Sequence, residues 1–549
     1  MTHQEHWHKN AIIYALDVES FIDADGDGIG DFTGLTNRLD YLAGLGVTCL
    51  WLLPCYPTPN RDNGYDVSDY YGIDPRLGTL GDYAEFLREA ESRGIRVLMD
   101  LVVQHTSDEH PWFKAARADR DSPYRSYYIW RDEPPDSPQH EQIVYLASEQ
   151  STAPWTYLDD AGAWYLHHFY DFEPDLNMDN IAVRHEVEQM MTYWLQLGVD
   201  GFRIDAAPYL GTTDASPTAA HAATHEILRD FRSLVSTNRG NAVLLGEVDA
   251  RPDQLADYFG DGHELQMLFN FYLNNYLFLA LASREAEPIV RAFETLPSIP
   301  NGGQWVNWVR NYDELDLERL SSHEREIVYR QFSPREEMRI YERGIRRRLP
   351  PMVKGDQRCI RLAYSLMFSL PGTPCLFMGE EIGMGEDLQL PGRNSVRTPM
   401  QWSAGPNGGF SRADAERLVR PVISSGHFGY KKVNVAVQRT DPKSLLSWMR
   451  TLIWVRRETP EIGSGTCTFM EIDNPAVLAH RFEHDGHNVL IVHNLSSETV
   501  EATLDLGHLA DAGFITILSS SIVESPKRGK SLELEPWGYR WYRLGDTLR

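Results

Sequence analysis

Residues 80–103 read LGDYAEFLREAESRGIRVLMDLVV. The first fourteen, 80–93, carry apolar residues at helical spacing and are followed by Gly94, a residue that ends helices by taking the left-handed conformation. The run IRVLMDLVV at 95–103 is then almost continuously apolar, as a strand covered on both faces must be. Outward from this unit the same pattern recurs. Segment 35–45, LTNRLDYLAGL, reads as a helix stopped by Gly46, and VTCLWLLP follows at 47–54. Further apolar runs are AIIYALDV at 11–18, VDGFRID at 199–205, NAVLLGEV at 241–248, ELQMLFNF at 264–271, WVNWVRNYD at 305–313 and GTPCLFMGEE at 372–381. Eight strands alternating with helices predict an α/β fold, a (β/α)8 barrel with a parallel sheet.

Two interruptions and one change of pattern divide the chain. Residues 1–103 read as the first part of the barrel. Residues 104–175, rich in Trp, Tyr, Pro and Asp, are too long for a plain loop and read as an inserted subdomain. Residues 176–462 read as the rest of the barrel, with a charged, helical-looking insert near 314–358. From 463 to 549 the runs VLAHRFEH, HNVLIVHNLS and WGYRWYRL alternate among turn residues, the pattern of a small antiparallel β domain.

Composition narrows the function. The chain of 549 residues has 52 Lys and Arg against 79 Asp and Glu, a formal net charge of −27. That charge repels nucleic acid and anionic membrane surfaces, and its plain reading is solubility. Five scattered cysteines with no Cys-x-x-Cys imply neither a disulfide framework nor a zinc site. MTHQEHWHKN has no apolar core of a secretory signal, no run approaches 18 apolar residues, and a cytoplasmic location is the expectation. His3, His6 and His8 read as a solvated tail.

In a barrel of this kind reactive side chains project from the C-terminal strand ends. Those ends offer Asp100, Asp205, Glu247 and Asp313. A single carboxylate there often caps the next helix, but four from four strands, with Arg203 beside Asp205, point to chemistry. Arg203 and Asp205 are two apart on a strand and face the same side. The arginine favours an ionised Asp205, as a nucleophile must be. Glu247 lies in the apolar run LLGEV, where desolvation raises its pKa and suits it to donate a proton. One ionised and one protonated carboxylate is the division of labour in retaining glycoside hydrolysis.

The ordered segments DLVVQH at 100–105, GFRIDA at 201–206, GEV at 246–248 and RNYD at 310–313 resemble the four motifs of the α-amylase superfamily, glycoside hydrolase family 13. DNGYDVSDYYGIDPRLGT at 62–79 and RTPMQW at 397–402 resemble its α-glucosidase and trehalose synthase branch. GIRRRLPPMV at 344–353, FSLPGTP at 368–374 and GEEIGMG followed by RNSVRTPMQWS look most like the trehalose synthases. The resemblance covers almost the whole chain. It implies the barrel, a B subdomain after the third strand and a C-terminal β-sandwich. By the same resemblance Asp205 is the nucleophile, Glu247 the acid/base and Asp313 the third carboxylate. Asp66 and Arg393 grip the terminal glucose, His105 and Arg203 also match, and the implied substrate is a small α-glucoside such as maltose or trehalose with no organic cofactor.

Four positions depart from the family pattern. Gln104 replaces asparagine, Tyr312 replaces histidine, Thr212 replaces glutamate and Glu173 replaces glutamine. Gln104, Asp175 and Thr212 occupy the positions of a second cation site, which is therefore expected to be lost, and Tyr312 is expected to reshape the sugar pocket. A first cation site is expected in DADGDGIGD at 23–31. Asp23, Asp25, Asp27, the Ile29 carbonyl and Asp31 offer hard oxygens suited to Ca2+, or less well Mg2+, in a structural role. Gly34 at the twelfth position excludes an EF-hand. The activity expected is intramolecular transfer interconverting maltose and trehalose. A hydrolase using the same residues and a sugar-binding homologue without chemistry stay open as alternatives, as does the oligomeric state.

Overall fold

All eight apolar runs form parallel strands that close on themselves. In the computed structural model, which describes residues 6–134, 154–211, 217–505, 513–521 and 531–545, these are β1 (Ile13–Leu16), β2 (Cys49–Leu52), β3 (Arg96–Leu101), β4 (Gly201–Ile204), β5 (Val243–Gly246), β6 (Met267–Phe269), β7 (Gln304–Asn307) and β8 (Thr373–Phe377). Neighbours in space are neighbours in sequence, and β8 pairs back onto β1. Ile13 closes the ring, lying opposite Cys49 on one side and Cys375 on the other. Every residue of β1, β2, β4 and β5 is buried, which is why these strands read as continuous rather than alternating.

The helices follow their local signals. Gly46 takes φ +104 at the end of α1 (Leu39–Leu45). Thr79 and Asp82 form a capping box at the start of α2 (Leu80–Ser92), and Gly94 follows with φ +70. The helix expected over 35–45 is in fact two pieces, since Phe32–Thr36 forms its own turn of helix capped by the Asp31 side chain. Gly201 has to be glycine. Its φ is +146, and a Cβ there would lie 2.0 Å from the Val243 carbonyl oxygen, so β4 could not approach β5.

Between β3 and β4 a short helix, Pro111–Ala118, packs near a three-stranded antiparallel sheet of Trp130–Arg131, Ala163–Leu166 and Trp155–Leu158. The insert after β7 is less helical than its charge pattern suggests. It holds the helix Ser322–Phe332 and a small sheet of Leu315–Asp316, Gly344–Ile345 and Arg339–Ile340.

The C-terminal part of the fold is antiparallel. Strands β9 (Thr466–Phe469), β10 (Val477–His484), β11 (His487–Asn494), β12 (Val500–Thr503), β13 (Gly513–Ser519), β14 (Ser531–Leu534) and β15 (Tyr539–Gly545) make a five-stranded sheet, β9-β10-β11-β15-β13, and a ribbon of β12 and β14. Leu490, Val492, Leu532, Leu534 and Tyr542 fill the space between sheet and ribbon. The other face of the sheet sits on the barrel helix α3 (Gln357–Ser369). There the Ser365 hydroxyl lies 2.9 Å from both Trp541 Nε1 and His493 Nε2. All five cysteines are free thiols. Among the described residues no helix is long and apolar enough to cross a membrane.

Candidate active site

Arg203 is the point on which the site converges. It lies opposite Asp100 in the β3–β4 register and is 1% exposed. Its Nη1 donates to Asp100 Oδ1 at 2.8 Å and to Asp205 Oδ1. Its Nη2 lies 2.8 Å from Glu247 Oε1 and donates to the Tyr312 hydroxyl at 3.2 Å. Asp205 and Glu247 are each the first residue past their strand. Their amides extend the ladder, Asp205 to the Leu101 carbonyl at 3.1 Å and Glu247 to the Ile204 carbonyl at 3.0 Å. Ala206 then turns the chain in the left-handed region at φ +45, and its amide donates to Glu247 Oε2 at 3.1 Å. A non-glycine residue held there is strained, and the strain aims Asp205 and Glu247 at one point.

The electrostatics separate the carboxylates. Burial raises Glu247 to about 7, opposed by Arg203. Burial also raises Asp205, to about 6, opposed by Arg203, which touches both carboxylates. Arginine therefore does not hold Asp205 at its solution value, as the sequence suggests; desolvation outweighs it. The order survives, with Glu247 the last of the pair to ionise. Asp313 goes the other way. Burial works against its charge, but Arg393, Arg397 and Arg203 together keep its pKa below the ordinary aspartate value.

Asp313 is not at a strand end. β7 stops at Asn307, and Asp313 is carried inward on a loop. Arg393 Nη1 and Arg397 Nη2 each bond Asp313 Oδ1 at 2.7 Å. Arg397 Nε also bonds the Tyr312 carbonyl at 3.0 Å. The expected partnership of Asp66 with Arg393 is wrong in one member. Asp66 is fully buried and accepts from the Thr58 hydroxyl at 2.8 Å and from the amides of Arg61 and Asp62 at 3.2 Å. It folds the loop, and Asp62 faces the site instead, bonded to Arg393 Nη2 at 2.9 Å. Both aspartates lie in the quoted DNGYD stretch, and spacing alone does not say which turns inward.

Asp62, Tyr65, His105, Phe169, Glu173, Asp205, Glu247, Tyr312, Asp313 and Arg393 line one pocket. Asp100 lies beneath it, fully buried against Arg203 and Trp51. Tyr312 turns inward. Its ring is nearly parallel to Tyr65 with centroids 6.0 Å apart, and the two hydroxyls share a hydrogen bond. His105 Nδ1 is 2.9 Å from Gln104 Oε1, and burial lowers its pKa. Asp175 is hydrogen-bonded to the amide of His168 at 3.0 Å and to its ring, so its oxygens are engaged. Thr212 lies outside the described residues. Glu173 is 1% exposed, and its Oε1 has no hydrogen-bonding partner. Burial first, then the charges of Asp62 and Asp66, raise Glu173 well above the ordinary range. Tyr65, Phe169, Asp62 and Arg397 were not singled out from sequence; Arg397 opens the RTPMQW motif and could have been.

Of the expected cation ligands the fold brings three together. Carboxylate oxygens of Asp23, Asp25 and Asp27 lie within 4.8 Å of one another. Asp31 caps the Phe32–Thr36 helix with Oδ1 through the Gly34 amide at 2.7 Å and accepts from the Ala24 amide with Oδ2 at 2.7 Å, as Asp23 accepts from the amides of Gly26 at 2.6 Å and Gly28 at 2.8 Å. The Ile29 amide donates to Asp27 Oδ1 at 2.8 Å. Clustered carboxylates in a turn held by its own amides fit a hard cation.

The model described as the catalytic domain of alpha amylase matches residues 13–465, and one described as the C-terminal domain of sucrose hydrolase-like proteins matches 486–543. A protein named trehalose synthase from Thermus thermophilus is 41% identical over 542 residues, 98% of this chain and 55% of its own length. Another from a Pimelobacter species is 39% identical over 98% of this chain and 96% of its own. An oligo-1,6-glucosidase from Parageobacillus thermoglucosidasius is 30% identical over 98% and 99%. Among solved structures, an inactive double mutant of MutB bound to isomaltulose superposes with TM-score 0.78 at 29% identity, over 98% of this chain and 99% of that one. The α-amylase of H. orenii gives 0.80 at 26% identity over the same shares.

Removing the charge at the centre should be worse for stability than for any surface residue. Arg203→Met leaves Asp100 and Asp205 buried without their cation, and losing one partner of a buried pair costs about 3–5 kcal/mol. The urea midpoint, followed by tryptophan fluorescence, should fall accordingly. A midpoint unchanged from wild type would contradict the central place given to Arg203.

Proposed function

The chain belongs to the α-amylase family, and from that premise we propose that it is a retaining α-glucosyl enzyme interconverting maltose and trehalose by intramolecular transfer. The observation that carries this reading is the pairing of Asp205 and Glu247 about one guanidinium, at the base of a pocket whose wall is the Asp62–Arg393–Asp313 chain. Full-length trehalose synthases among its relatives support it.

The steps follow from the charges. Asp205, ionised, attacks C1 of the bound glucosyl unit, and the bond from C1 to the bridging oxygen breaks. Glu247, the group that keeps its proton longest, gives it to that oxygen as it leaves. A covalent glucosyl ester on Asp205 and a free glucose result. Glu247, now a carboxylate, takes the proton from the 1-hydroxyl of that glucose, whose oxygen attacks C1 and frees Asp205. Two inversions give retention. Asp313 and Arg393 hold hydroxyls of the donor, with Asp62 fixing Arg393. Attack by water in the second step would make the enzyme a glucosidase, the activity named for the 30% identical relative.

Two residues set the sugar that fits. Tyr312 occupies pocket volume beside Arg203, where the family has the smaller histidine. Glu173, whose pKa burial raises, stands where the family has an amide. Both bear on how well the pocket accepts maltose relative to other small α-glucosides. The turn of Asp23, Asp25, Asp27, Ile29 and Asp31 is proposed to hold a structural Ca2+, or less well Mg2+. The sugar is the only partner this reading needs.

Incubation with maltose, trehalose or an aryl α-glucoside, with products separated, tests the activity. Maltose and trehalose should interconvert with glucose a minor product, and Asp205→Asn should lower turnover by about 10³-fold or more. Glucose as sole product makes the enzyme a hydrolase, and an inverted anomer removes it from the retaining class. Tyr312→His should raise kcat/KM for maltose if the phenol narrows the pocket.

The pH profile of kcat/KM should be a narrow bell. Activity should rise as Asp205 loses its proton near pH 6 and fall as Glu247 loses its own near pH 7. The two apparent values belong to the pair. A flat profile between pH 5 and 9 would exclude these roles.

Removing Ca2+ with EGTA should lower the melting temperature, and Ca2+ should restore it. In Asp25→Asn the chelator should have little further effect. A melting temperature indifferent to EGTA in the wild type would refute the cation.

A further inference from the structure

On the outer wall of the barrel, sharing no residue with the sugar pocket, lies a second group of metal-binding side chains. The helix α4 spans Pro217–Asn238 and follows the strand that delivers Asp205; His221 and His225 stand four residues apart on it, on one face. Their Nε2 atoms are 3.2 Å apart, and the ring centroids 4.3 Å apart. A carboxylate oxygen of Asp257, in the segment that runs down to β6, lies within 4.8 Å of the ligating atoms of both histidines.

We propose that His221, His225 and Asp257 form a binding site for Zn2+ or a chemically similar first-row divalent ion, with Glu264 as the outer partner of His225.

The argument rests on lone pairs. His225 Nδ1 is 2.6 Å from Glu264 Oε2, and Glu264 is buried and paired through its other oxygen with Arg229 at 3.0 Å. A carboxylate held by arginine accepts, so His225 Nδ1 carries the proton and Nε2 carries the lone pair. That lone pair faces Nε2 of His221. The carboxylate–histidine arrangement fixes the tautomer and ring direction of a metal ligand. Two nitrogens each about 2.05 Å from a tetrahedral zinc ion are separated by about 3.3 Å, close to the spacing here. The groove around them, with His263 and Asp261 on its rim, opens to solvent and leaves the fourth position for water. Two imidazoles and one carboxylate select a first-row transition ion over Ca2+, which prefers an all-oxygen shell.

Such an ion would tie α4 to the segment before β6 and clamp two successive units of the barrel wall. Its effect would fall on stability and not on the reacting carboxylates.

The test uses the full chain, stripped of metal by chelator and dialysed, and titrated with Zn2+ by calorimetry. One Zn2+ per chain should bind with a raised melting temperature. Co2+ should give the visible absorption of a four-coordinate ion. His221→Ala and Asp257→Asn should each weaken Zn2+ at least tenfold while retaining the wild-type circular dichroism and maltose turnover. Replacing His3 and His6 with glutamine should leave the affinity unchanged, which separates this site from the N-terminal histidines. Absence of stoichiometric binding, or binding that survives both His221→Ala and Asp257→Asn, would overturn the proposal; the histidine pair would then be a plain hydrogen bond.

Discussion

One guanidinium faces three carboxylates at the centre of the barrel mouth, and most of the site follows from that imbalance. Arg203 touches Asp100, Asp205 and Glu247. A single positive charge in a desolvated place cannot keep three negative ones ionised. Asp100, deepest and bonded also by Trp51 and Tyr65, completes the support of Arg203 from below. Burial raises Glu247 furthest, to about 7, although Arg203 touches it as closely as it touches Asp100.

The rim repeats the device with the opposite balance. Asp313 is held by two arginines, and Arg393 is held in turn by Asp62. Excess positive charge there keeps Asp313 ionised. Geometry of this precision needs rigid backbone underneath. It comes from the ladder hydrogen bonds of Asp205 and Glu247 and from Gly201, whose missing side chain lets β4 and β5 approach.

Regions outside the mouth serve this arrangement by holding the barrel closed. The C-terminal sheet docks on α3 through Trp541, His493 and Ser365, so the helix preceding the last strand is anchored on both sides. The turn of Asp23, Asp25 and Asp27 and the His221–His225 pair sit at two other points of the wall. At the second, the two histidines of α4 approach Asp257 of the segment before β6.

From sequence alone, the eight strands, the class of fold and the carboxylates Asp205 and Glu247 could be read. Each depends on local pattern: apolar runs are strands because both faces are covered, and a residue just past a strand end points into the mouth. What sequence could not assign depended on side-chain direction in loops. Asp62 and Asp66 are four apart in one turn, and only the folded loop shows that Asp66 bonds its own backbone while Asp62 meets Arg393. Asp313 was placed at a strand end because the apolar run WVNWV continues toward it, whereas the ladder stops at Asn307. The approach of His221 and His225 to Asp257 joins residues more than thirty positions apart, and the barrel's closure decides that they meet.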